Sequence, residues 1–245
     1  MIDTVIVFGD SFNYGHGCKD RMWYYDKHMK QMVGTSITGE LPSEYCWASL
    51  LQNEYPEITV KNFAAPGRSN PEIFRDFFKY CSENSGNEEN TLIFFQITNP
   101  DRIEVASHNQ TKTASLLLSN VENHPHKEMG VAVMGYVKWM YHPDIGENQS
   151  YMGLLGAYGM AQLKKLNFIW SIGQWAYDQT SYNFVYNLGD FNKHNIKDVR
   201  NTDFSGRMNR EFNMSCRAPD NHINEKGHEI YYNTIIKPTI QKYLT

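Results

Sequence analysis

A chain of 245 residues, 41% hydrophobic and 20% charged, holds enough apolar material for a large core, and its formal net charge of −4 with scattered Lys and Arg gives no electrostatic footprint for nucleic acid. No stretch approaches the about 18 uninterrupted apolar residues of a membrane span, and Met1-Ile2-Asp3 carries no basic leader segment, so a cytoplasmic or otherwise leaderless protein is expected. Cys18, Cys46, Cys81 and Cys216 lie too far apart for a CxxC metal knuckle or a dense disulfide framework and read as small buried thiols.

In chain order, DTVIVF at 3–8 predicts a first strand and Gly9-Asp10-Ser11 ends it. A helix is expected over about 42–54, with Pro42 in its first turn beside Ser43 as a cap. ITVKNFA at 58–64 predicts a second strand, followed by a helix over about 71–83 with Pro71 in its first turn and Asn70 as a cap. TLIFFQI at 91–97 predicts a third strand. Residues 102–148 hold polar, histidine-rich stretches around a helical pattern, and a connection this long is expected to be a cap-like insertion in one 1–245 domain. A helix over about 149–165, strands at 167–172 and 182–187, and a last helix over about 225–242 complete the pattern. Strands alternating with helices predict a parallel α/β sheet.

In such sheets ligands bind beyond the carboxyl ends of the strands, so the residues there carry the chemistry. The first strand is followed by Ser11, the second by Ala65-Pro66-Gly67-Arg68, the third by Thr98-Asn99-Pro100, and Asp220-Asn221-His222 precedes the last helix. These loops offer a hydroxyl, a glycine amide, a carboxamide and a carboxylate with an imidazole. Acyl transfer needs that set: a base to activate the hydroxyl, a carboxylate to fix the imidazole tautomer, and donors aimed at the oxyanion. In an extended stretch Asp220 and His222 point the same way.

The blocks VIVFGDSFNYG, NFAAPGRSN, QITNPD and DNHINEKGHE, in that order, resemble those of the SGNH or GDSL hydrolases. The resemblance implies a three-layer α/β/α sandwich of flavodoxin-like type with about five parallel strands. It further implies Ser11 as nucleophile, His222 as base, Asp220 as its partner, and an oxyanion hole formed by the Ser11 amide, Gly67 and Asn99. Members hydrolyse esters, often short acyl groups on sugars or lipids, with no metal or other cofactor. The partner implied is a small-molecule or carbohydrate ester. The third block here reads Ile97-Thr98-Asn99-Pro100 where the family has Gly-x-Asn-Asp, and the acid stands two residues before the histidine, not three. A non-catalytic glycan- or partner-binding module that keeps the fold is the alternative.

Each residue also has a structural reading. Ser11 suits a helix cap, Asp10 a cap or a brace of the Ser11 loop, Gly67 a turn needing positive φ, Asn99 a turn before proline, and Asp220 a helix cap. His228 reads as a packing or surface histidine. His124 and His126 form an H-x-H pair without a supporting ligand cluster and read as exposed loop. The aromatic stretches 22–29 and 136–142 suit either a ligand-stacking surface or core.

Overall fold

A computed structural model of the chain describes residues 1–21, 23–26, 31–34, 41–84, 89–106, 113–118, 127–173, 216, 218 and 222–244. Four strands form its parallel sheet: β1 (Thr4–Phe8), β4 (Thr59–Asn62), β5 (Thr91–Ile97) and β8 (Asn167–Ile172), in the order β4-β1-β5-β8. The fifth strand expected at 182–187 lies outside the described residues. Antiparallel pairs stand apart from this sheet, β2 (Trp23–Asp26) with β3 (Gln31–Gly34) and β6 (Arg102–Ala106) with β7 (Thr113–Leu117).

The sheet is covered on both faces, and the sequence of β5 shows why. TLIFFQI is buried throughout, so alternate residues feed opposite cores. Leu92 and Phe94, with Val5 and Val7 of β1, pack under Trp47 and Leu51 of α2 (Trp47–Glu54) and under Tyr231, Ile236 and Ile240 near the C-terminus. Ile93, Phe95 and Ile97, with Ile6 and Phe8, pack under Ile73, Phe74 and Phe77 of α3 (Asn70–Glu83) and under Leu154, Ala157 and Ala161 of α5 (Pro143–Leu163). The three-layer α/β/α arrangement expected from the sequence is the one present.

Helix starts differ from expectation in detail. α2 begins at Trp47, so Pro42 precedes it, and Ser43 accepts the Tyr45 N–H while donating its hydroxyl to Asp20, capping nothing. Ser69, not Asn70, caps α3, in a reciprocal capping box with Glu72. The long connection contains the β6–β7 hairpin and α4 (Lys127–Trp139), which leads into α5. The last helix is divided: α6 (Glu225–Tyr231) passes through a π turn (Tyr232–Ile236) into α7 (Lys237–Leu244). Pro238 lacks an N–H and cannot continue the regular ladder at that junction.

All four cysteines are buried free thiols. His228 is packing material, fully buried against Phe12, with Nδ1 accepting the Trp47 N–H at 3.4 Å and Nε2 meeting no hydrogen-bond partner among the described residues. Burial, and to a smaller extent the neighbouring His222, pushes its pKa from an ordinary value near 6.5 down to about 3. Between those values the unfolded chain binds a proton that the folded chain refuses. Stability is therefore complete above about pH 6.5 and is lost as pH falls toward about 3, with a slope from this group of up to about 1.4 kcal/mol per pH unit. Urea unfolding at a series of pH values should show this loss, and His228→Phe, which carries no proton in either state, should lack that component.

Candidate active site

Counted among the sheet strands, the order is 2-1-3-4, so the chain turns from one side of β1 to the other at the β1/β5 boundary. That switch point is where a cleft opens beyond the carboxyl ends of the strands. Ser11 follows β1 there, Asn99 follows β5, and Gly67 lies in the loop after β4.

Ser11 opens a four-residue helix, α1 (Ser11–Tyr14), that Asp10 caps and Gly15 ends at φ +83°. Asn13 fastens this turn: its Oδ1 accepts from Trp47 Nε1 at 2.9 Å and its backbone oxygen accepts from Asn62 Nδ2 at 2.7 Å. Asp10 serves both of its expected roles. One carboxylate oxygen accepts the Phe12 N–H at 3.0 Å, and the other accepts a very short hydrogen bond from the Thr98 hydroxyl at the end of β5. Thr98 is held in turn by Asn70, whose Oδ1 accepts the Thr98 N–H at 2.7 Å and whose Nδ2 donates to the Thr98 carbonyl at 3.0 Å and to Ser150 Oγ at 2.8 Å.

His222 Nε2 lies 3.1 Å from Ser11 Oγ, across 211 residues of sequence. Close backbone approach seats its loop. Gly17 has φ +104°, and a Cβ there would come within 2.6 Å of the Ile223 carbonyl oxygen and 2.7 Å of His222 Cβ. The Lys19 N–H donates to Glu225 at 2.5 Å, and Asn224 caps α6 by accepting the Gly227 N–H. The His16 ring lies flat on the His222 ring, centroids 4.1 Å apart and planes 2° from parallel.

Gly67 has φ +78°, as its turn requires. Asn99 is buried, and its Oδ1 accepts the Asp101 N–H at 2.8 Å, which closes a turn on itself. Arg102 N donates to the Asn99 carbonyl at 3.1 Å, and the Arg102 guanidinium comes to 3.8 Å from where a Gly67 Cβ would stand. Asp220, like His124 and His126, lies outside the described residues. In 136–142, Trp139 and Tyr136 are exposed, while Tyr141 donates to Asp101 at 2.6 Å. Among the described residues no three His, Cys, Asp or Glu side chains gather as a metal requires, and no helix is long and apolar enough to cross a membrane.

His16, Thr98, Asn70 and Arg102 escaped the sequence reading as site residues. Only His16 carries a signal there, as the one side chain between two glycines in Gly15-His16-Gly17.

No family model matches the sequence and no curated protein is similar to it. Among solved structures, one of TesA superposes with a TM-score of 0.52 at 11% identity over 98% of this chain and 99% of that one, which shows a shared fold. An esterase EstA from Pseudoalteromonas sp., inhibited by monoethylphosphonate, matches at TM-score 0.48 and 13% identity over 99% and 98% of the two chains. A member of the lipolytic protein G-D-S-L family from Veillonella parvula DSM 2008 matches at 0.47 and 12% over 96% of each.

Gly17 tests the seating of the histidine loop. Gly17→Ala must hold a side chain at positive φ against the 222–223 backbone, and is expected to cost at least about 1–3 kcal/mol, read as a lower Tm. Gly159→Ala, in α5 with nothing within 4 Å of its Cβ position, should move Tm the other way, by up to about 1 kcal/mol of helix propensity.

Proposed function

We propose that the chain is a serine ester hydrolase of the SGNH type, acting on short acyl esters such as O-acetyl groups of carbohydrates. The observation that carries the reading is the 3.1 Å approach of His222 Nε2 to Ser11 Oγ at the carboxyl edge of the sheet. A serine hydroxyl gains nucleophilicity when an imidazole within hydrogen-bond reach takes its proton.

Ser11 Oγ attacks the ester carbonyl and its proton passes to His222 Nε2. The carbonyl π pair becomes an oxyanion facing the Ser11 and Gly67 amides and the Asn99 NH2. Collapse breaks the bond to the alcohol, which leaves with the His222 proton, and the acyl group stays on Ser11. Water, deprotonated by His222, then attacks the acyl-enzyme, releases the acid and restores the serine. Asp220 is assigned to the other imidazole nitrogen, where a carboxylate holds the tautomer and stabilises the imidazolium. Asp10 supports the Ser11 turn through Phe12 and Thr98.

A fluorophosphonate should label Ser11, and p-nitrophenyl acetate should be hydrolysed by the wild type and not by Ser11→Ala. His222→Ala should lose on the order of 10³-fold or more in kcat. Label on another serine with Ser11 untouched, or near wild-type turnover without His222, would overturn the assignment. Glycan binding without turnover would instead favour a non-catalytic module.

Asn99 has two jobs on separate atoms, so two variants separate them. Asn99→Asp keeps the oxygen that Asp101 N–H requires and removes the NH2 donor; it should lower kcat by about 10²-fold, about 2.7 kcal/mol, with little change in Tm. Asn99→Ala removes both and should also melt lower. Wild-type kcat in Asn99→Asp would leave Asn99 as a turn residue alone.

A further inference from the structure

We infer that Arg102 forms an anion subsite beside the oxyanion hole, so that the ester acted on carries a carboxylate or phosphate close to its scissile carbonyl; this rests on the hydrolase reading above.

Three arginines stand on the elements around the Gly67 and Asn99 loops, and the other two are already matched to carboxylates. Arg68 pairs with Glu72 at 3.3 Å and Asp76 at 3.4 Å. Arg75 holds Glu104 through two bonds of 2.6 and 2.5 Å. Glu104 is thereby taken, although it stands two residues from Arg102 on the same strand. Arg102 itself is half-buried, with its Nε enclosed and without a hydrogen-bond partner, and among the described residues its guanidinium meets no carboxylate. A guanidinium always carries its charge and presents a planar fork of donors suited to carboxylate or phosphate. A half-buried guanidinium keeps its charge while losing part of its hydration, and an anion arriving at its accessible edge offsets that loss.

Its position defines what it would read. The backbone of Arg102 closes the Asn99 turn, and its guanidinium stands beside Gly67, so one residue joins both loops assigned to the hole. It approaches Gly67 from the direction of a missing side chain, so it borders the hole and faces the substituents of the carbonyl. A Cβ at Gly67 would meet the guanidinium only at ordinary van der Waals distance, so it is the positive φ that reserves this position for glycine.

Two matched ester pairs test the subsite on either side of the carbonyl: 4-nitrophenyl butyrate against 4-nitrophenyl hemisuccinate, and phenyl acetate against 3-carboxyphenyl acetate. The wild type should favour the anionic member of at least one pair by about tenfold or more in kcat/KM, the discrimination of one charge-assisted hydrogen bond. Arg102→Gln should bring that ratio toward one, Arg102→Lys should retain part of it, and added NaCl should shrink it in the unaltered protein. Calorimetry with methylphosphonate reads the same subsite without turnover: Kd should rise about tenfold in Arg102→Gln. Hydrolysis with no anionic preference, or with a preference unchanged in Arg102→Gln, overturns the subsite and leaves the hydrolase reading standing. Failure to cleave any of the four esters, with methylphosphonate binding still dependent on Arg102, overturns the hydrolase reading and leaves the subsite.

Discussion

Asp10 is out of water, and a buried carboxylate persists only where its oxygens are answered by donors. One donor is the Phe12 N–H inside the Ser11 turn, and the other is the Thr98 hydroxyl at the end of the adjacent strand. The bond to Thr98 therefore couples the direction of α1 to the register of β1 against β5. Asn70 extends the coupling, because its carboxamide satisfies both the N–H and the carbonyl of Thr98 just where the strand ladder stops. Ser11, Asn99 and the start of α3 are held by this single polar cluster, which is closed enough to be stable within the structure.

The sheet supplies what hydrogen bonds alone do not, a rigid platform with a fixed edge. β1 and β5 are packed on both faces by large apolar side chains, so neither strand can slip by a residue without exchanging one core for the other. His222 comes to the same edge from the far end of the sequence. Its loop is held by α6, whose Tyr231 belongs to the core beneath α2, and by the side-chain-free surface of Gly17. Core packing and one tight backbone contact thus set the distance between imidazole and hydroxyl. The flat contact with His16 adds a second restraint, on the plane of the imidazole.

How much of this was legible in the sequence follows from the range of each signal. The strands at 3–8, 91–97 and 167–172 were legible because buried parallel strands are short β-branched and aromatic runs, the edge strand at 58–64 by its β-branched residues alone, and the loops just after the first three strands drew attention to Ser11, Gly67 and Asn99. Ser43 and Asn70 were misread as caps because the same side chains that cap helices also bond distant backbone, and only the fold shows that Asp20 and Thr98 claim them. The split of the last helix was invisible to apolar periodicity, which continues through the π turn. Arg102 was passed over because an arginine in a charged, polar stretch signals nothing until its neighbours Arg68 and Arg75 are seen to be paired while it meets no carboxylate among the described residues.

The turn from Asn99 to Arg102 concentrates these dependencies in four residues. Asn99 Oδ1 holds the Asp101 N–H, the Asp101 carboxylate accepts from Tyr141, and the Asp101 carbonyl accepts the Leu118 N–H from the end of the hairpin. Gly146 lets α5 close over the same turn, since a Cβ there would fall 2.7 Å from the Pro100 carbonyl oxygen and 2.6 Å from the Tyr141 hydroxyl. Residues of the long connection between β5 and β8 thus rest on the turn that carries both the Asn99 carboxamide and the Arg102 guanidinium. Pro100 disfavours helical geometry at Asn99, so the strand ends extended and does not wind on. Asn99 therefore sits in a braced turn, in which the position of its carboxamide is tied to the segment lying over it.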